Sequence, residues 1–145
     1  MSTTQDALSA ARTRVAALET EAAKETRHER NKKAAELRAQ GRALDRQIQA
    51  QATELRRLRG IAEPLWARLP LIEREQRQLE EAGPGEFPTD EEITAHDEKL
   101  KRLEAERQEN TNRRMELSTL IALAERTLNE LTAQRKLLLW QIEQV

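Results

Sequence analysis

Cysteine is absent from this sequence, which excludes a disulfide framework, a thiolate metal site and a cysteine nucleophile. Aromatic residues are scarce: one Phe, two Trp and no Tyr among 145 residues. A compact core of ordinary thickness draws much of its buried area from aromatic side chains, so no such core is expected. Glycine and proline number four each, so breaks in regular structure are few and can be placed one by one. No stretch is long and apolar enough to span a membrane. Met1 to Ala10 lacks the basic start and apolar run of a secretory signal. The expectation is a cytoplasmic or virion-associated protein without membrane insertion.

What the chain has in abundance is charge, at 35% of residues, together with Ala, Leu and Gln. That mixture is typical of long helices. From Ile93 to Val145 a seven-residue rhythm runs unbroken. It picks out Ile93, His96, Leu100, Leu103, Arg107, Asn110, Arg114, Leu117, Ile121, Ala124, Leu128, Leu131, Arg135, Leu138, Ile142 and Val145, eleven of them apolar. A mean spacing near 3.5 residues keeps one stripe of a helix turned toward a partner helix. As a continuous helix this window would be about 80 Å long.

Three segments follow from the breaks. Residues 1–60 read as a first long coiled-coil helix, with Ser2, Thr3 and Thr4 as N-cap candidates and Gly60 as its end. Its seam begins as Leu8, Ala11, Val15, Leu18 and Ala22, and loses apolar residues between Lys24 and Lys33. It resumes in shifted phase as Leu37, Leu44, Ile48, Leu55 and Leu58, with Gly41 as a weak point. Residues 61–88 read as a short helical connector broken by Pro64 and Pro70, ending in the Gly83–Pro88 loop. Residues 89–145 read as the second long coiled-coil helix, with Thr89 and Glu92 spaced as a capping box. The expected fold is all-α: an antiparallel helical hairpin with a short proline-broken element at its tip, forming oligomers.

Charge is unevenly spread. Residues 27–59 hold ten Arg or Lys against four Asp or Glu, and residues 73–110 hold six against thirteen. A hairpin is expected to set the basic part of the first helix beside the acidic start of the second long one. Exposed ion pairs contribute only about 0–1 kcal/mol each, so they would select register rather than supply stability.

Several groups are candidates for function. Arg107, Asn110 and Arg114 interrupt the apolar seam, and a polar residue there tolerates only a register that satisfies it. Leu117, Ile121, Leu128, Leu131, Leu138, Leu139, Trp140 and Ile142 form an apolar face that becomes nearly all-round at the C-terminal end. One partner helix cannot cover such a face, which points to self-association or a docked protein. The stretch from Arg27 to Arg38, with Arg30-Asn31 followed by Ala34-Ala35, resembles the basic region of leucine-zipper DNA-binding proteins. That resemblance implies a helix in the major groove with Asn31 on base edges. It spans about a dozen residues, and departs from the family where Arg38 and Ala39 stand. Arg27, Arg30, Lys32, Lys33 and Arg38 are accordingly candidate phosphate contacts.

No catalytic or metal grouping emerges. His28 and His96 are far apart, and there is neither a Gly-rich phosphate loop nor a nucleophile elbow. The chain is not expected to be an enzyme or to need a cofactor. The leading expectation is a coiled-coil structural or assembly protein partnering copies of itself and other proteins. It is architecturally similar to small phage structural proteins and to the stalk-like escorts of type III secretion. The alternatives are a nucleic-acid-associated protein using residues 27–59, and a regulatory module that binds a partner helix.

Overall fold

The computed structural model describes residues 2–145, with only the backbone of Ser2. The capping role considered for the Ser2 side chain therefore lies outside the described residues. The fold is all-α. Helix α1 spans Ser2–Ala82 and helix α2 spans Asp90–Gln144. No strand is present among the described residues. The two helices pack against each other, and the chain divides into two compact units. One joins Met1–Gln47 to Leu131–Val145, and the other is Ile48–Glu130.

The Ile48–Glu130 unit is an antiparallel helical hairpin. Its core is Leu55, Leu58, Ala62, Leu117 and Ala124, with Ile61, Leu65, Ile121 and Leu128 packed against it. On the α1 side, Leu55, Leu58, Ala62, Leu65, Leu69, Ile72, Gln76 and Leu79 recur at steps of three and four, and all are buried or half-buried. Ile72 is fully buried.

This continuity corrects two expectations. Gly60 does not end a helix, and Pro64 and Pro70 do not break out a separate connector, because α1 runs through all three. Both prolines and Gly60 lie on the exposed side of the helix. Each proline removes one backbone hydrogen bond, stranding the carbonyls of Gly60 and Trp66, and both of these residues are open to water. An interior proline costs about 3 kcal/mol. Burying each Leu or Ile on the opposite face contributes about 1.5–3 kcal/mol, so the stripe from Leu55 to Leu79 outweighs both prolines.

Helix α1 ends at Gly83, which takes the left-handed conformation (φ 62°) while its N–H donates to the Leu79 carbonyl at 3.0 Å. The loop turns again at Gly85 (φ 122°). Thr89 then caps α2: its hydroxyl accepts from the Glu92 amide at 3.2 Å and its carbonyl from the Ile93 amide at 3.0 Å. Asp90, Glu91 and Glu92 occupy the first turn, where carboxylates face the positive end of the helix dipole. The Glu92 carboxylate, expected to reach back to the Thr89 amide, lies beside Gly85 instead.

The loop is short, so the start of α2 lies beside the end of α1. His96 meets Leu79, Glu104 meets Gln76 and Glu106 meets Arg68. The acidic start of α2 was expected beside the basic stretch of α1, and it is not. Loop length and the apolar stripe set the alignment, because exposed ion pairs are too weak to override them.

In the other unit, Leu37 and Leu138 are buried and Gly41, Leu44 and Ile142 are half-buried. A Cβ placed on Gly41 would meet the Leu138 side chain at 3.5 Å, ordinary van der Waals contact. Arg135 donates to the Asp45 carboxylate across the pair. Residues 3–33 are exposed throughout.

Candidate interaction surfaces

Three kinds of surface carry chemistry here: polar stations in the helix contact, apolar residues left open, and the basic stretch of α1. Asn110 holds the most specific station. Only 5% exposed, it donates from Nδ2 to the Leu65 carbonyl of α1 at 2.9 Å and accepts from Arg114 Nε at 2.7 Å. Arg114 also donates to the Thr111 hydroxyl at 3.2 Å. Its guanidinium lies over the Trp66 ring, 4.3 Å from the centroid, a cation–π contact that ties α2 to α1. Arg107, the third residue of the expected trio, stands apart. It is exposed and sits 3.9 Å from Glu104 on its own helix.

Two further stations lie closer to the loop. Gln76 is 9% exposed and donates to Glu104 at 2.9 Å. His96 Nε2 donates to the Leu79 carbonyl at 2.9 Å, an acceptor shared with the Gly83 amide. Sequence reasoning missed Gln76 and Trp66. The signal was present, because Gln76 continues the three-four spacing from Leu55, but it was hidden by ending the helix at Gly60. Among the described residues, no buried side-chain nitrogen or oxygen lacks a partner.

Ion pairs flank these stations. Arg68 grips Glu106 with two donors, at 2.8 and 3.2 Å, and reaches Glu75 at 3.3 Å. The hydrogen bond to Arg68 holds the Glu106 carboxyl below its ordinary value of 4.5, and the same bond raises Arg68. Arg59 meets Glu125 at 2.7 Å. Arg57 lowers Glu54 in the same way within α1, chiefly through their hydrogen bond.

The apolar residues singled out at α2 divide by exposure. In the Ile48–Glu130 unit, Leu117, Ile121 and Leu128 pack against α1. Near the C-terminal end Leu138 is buried, and Leu131 and Ile142 are half-buried. Leu139 and Trp140 stay open, at 45% and 57%. The partner of most of this stripe within the chain is thus its own first helix, and Leu139 and Trp140 are left over.

Arg27, Arg30, Lys32, Lys33 and Arg38 are all exposed. Arg27, Arg30 and Arg38 line a shallow, open depression with Ala34, Ile142 and Val145, whereas Lys32 and Lys33 lie outside it. Among the described residues, no group of three His, Asp or Glu side chains is gathered to hold a metal ion. Among the described residues, no helix is long and apolar enough to cross a membrane. Compared with protein-family models, with curated protein sequences and with solved structures, the chain matches none.

Proposed function

We propose that this chain is a non-catalytic structural protein whose helices form a coiled coil and whose remaining apolar surface joins it to copies of itself or to other proteins. A larger assembly, such as a phage particle or secretion apparatus, is the setting that suits it. One observation carries this reading: apolar side chains remain open after the two helices have paired. In one unit Met115, Leu120 and Leu123 are 47–65% exposed, and in the other Leu137, Leu139 and Trp140 are 45–59% exposed. Large apolar groups in this number on two slender helices favour a further binding partner. The helix caps at the loop and the partnered buried polar groups of the seam support a preformed scaffold rather than a chain that folds only on capture.

The test is mass in solution over a concentration series, followed alongside by circular dichroism. An assembly protein gives a mass above one chain that rises with concentration while helicity stays high. A chain that stays monomeric and incompletely helical would overturn self-association and favour a module that captures a partner helix. Raising salt separates the remaining class, because phosphate binding by Arg27 to Arg38 would weaken steeply whereas apolar association would persist.

A further inference from the structure

The first three heptads of α1 carry an apolar seam that nothing in the structure covers. Leu8, Val15 and Leu18 are 54%, 53% and 64% exposed, and Ala11 and Ala22 lie exposed on the same stripe. This seam is not a continuation of the face that α1 turns toward α2. That face holds Ala34, Leu37, Gly41 and Leu44. Extended toward the N-terminus in the same three-four steps, it reaches Ala23, Thr20, Ala16, Thr13 and Ser9. The apolar seam is displaced from that line by alternately one and two residues, about 150° around a helix. The extended line is largely polar or small, with Thr13 and Thr20 hydroxyls already bonded to the Ser9 and Ala16 carbonyls. The seam therefore faces away from α2 and suits a different helix.

We infer that the occupant is the same segment of a second copy, running antiparallel. The charges beside the seam identify it. Arg12 and Arg14 flank the N-terminal half, and Glu19 and Glu21 flank the C-terminal half. An antiparallel pair centred between Ala16 and Ala17 sets Val15 opposite Leu18 of the second copy, and Ala11 opposite its Ala22. The same register brings Arg12 to Glu19 and Arg14 to Glu21 of the second copy, four ion pairs by symmetry. Large residues meet large ones at the centre, and alanines meet alanines on either side. A parallel, in-register pair keeps only the two Arg14–Glu19 contacts. It also stacks Glu25 on Glu25 and Glu29 on Glu29 along the seam, a like-charge clash that the antiparallel pair avoids.

The inference rests on the reading of this chain as an assembly protein, and its test separates the two. The full chain is followed by sedimentation equilibrium, with circular dichroism to verify helix content. Val15→Asp with Leu18→Asp weakens the dimer by about a hundredfold in Kd, because each carboxylate would be buried without a partner. Arg12→Glu with Arg14→Glu, and Glu19→Arg with Glu21→Arg, each weaken self-association at low salt, and mixing the two charge variants restores it. The native chain has no cysteine, so orientation can be read directly. A mixture of Ala11→Cys and Ala22→Cys chains forms a disulfide between unlike copies, and neither forms one alone. A disulfide from Ala11→Cys alone overturns the antiparallel order. A native chain monomeric at every concentration overturns both the seam and self-assembly. Association that survives the Val15→Asp and Leu18→Asp pair overturns the seam and leaves the assembly reading standing.

Discussion

The Arg114 guanidinium lies 4.3 Å from the centre of the Trp66 ring while its Nε holds the Asn110 side chain by Oδ1. Asn110 in turn spends its amide on the Leu65 carbonyl, so one contact across the helices orders another. The group resists sliding, because a shift of α2 by one turn removes Asn110 from its acceptor and Arg114 from its ring.

Asn110→Ala should therefore cost about 1–3 kcal/mol, since it strips a donor from a buried carbonyl and a partner from Arg114. Asn110→Leu should cost less and widen the range of alignments. Denaturant midpoints give the first effect. Spin-label distances between α1 and α2 give the second, and one sharp distance in Asn110→Leu would sink the register role.

The sequence displays the apolar rhythm of α2 plainly, because spacing alone decides which residues share a helix face. It displays α1 less well, for a physical reason. Gly60, Pro64 and Pro70 read locally as an end and two breaks, yet local preference is a few kcal/mol and was outweighed by a stripe of buried residues on the far side. The clue lay in the spacing of Leu55, Leu58, Ala62, Leu65, Leu69 and Ile72, which ignores the prolines. Asn110 and Arg114 were visible as seam residues. Trp66 was not, because a cation–π contact depends on which residue of the other helix arrives opposite.

Gly60→Ala tests the continuity of α1 by sign. At a helix interior with nothing within 4 Å of the new Cβ, alanine should stabilise by about 1 kcal/mol. At a left-handed helix end it would destabilise, as Gly83→Ala should, with its φ of 62°. Thermal melts of the two variants should move in opposite directions. A fall in Tm for Gly60→Ala would contradict a continuous helix.

Gly41→Ala should also stabilise, by about 0.5–1 kcal/mol, through helix propensity. The added methyl meets Leu138 at 3.5 Å without overlap. Gly41→Leu should reverse the gain, since the facing Leu138 leaves room for one carbon and not for four.

Acid should weaken the Ile48–Glu130 unit partly through Glu106. Its carboxyl is held below the ordinary 4.5 by the hydrogen bond to Arg68. The folded state thus binds its proton less readily than the unfolded state. The stabilisation is present above the ordinary carboxyl value and disappears as pH falls through the lowered one. Glu106→Gln should flatten that part of the stability–pH profile and leave the neutral-pH midpoint little changed, since the pair is partly exposed. Urea midpoints from pH 7 down to acid, native against variant, would show it. Identical slopes would remove Glu106 from the account.

Leu138 and Trp140 sit two residues apart and should respond differently to truncation. Leu138 is 6% exposed and Trp140 is 57% exposed. Leu138→Ala empties space beside Gly41 and should cost about 2–5 kcal/mol at any protein concentration. Trp140→Ala touches a surface open in the single chain and should stay within about 0.5 kcal/mol when the protein is dilute. If Trp140 is covered in an assembly, its loss should lower the Tm only where the native chain associates, because association raises stability by mass action. Tryptophan emission gives a second readout, with Trp66→Phe used so that Trp140 reports alone. A blue shift of that emission with rising concentration places Trp140 in an interface. Emission that stays at the solvent-exposed wavelength, with an unchanged Tm for Trp140→Ala, assigns the assembly contact elsewhere on the chain.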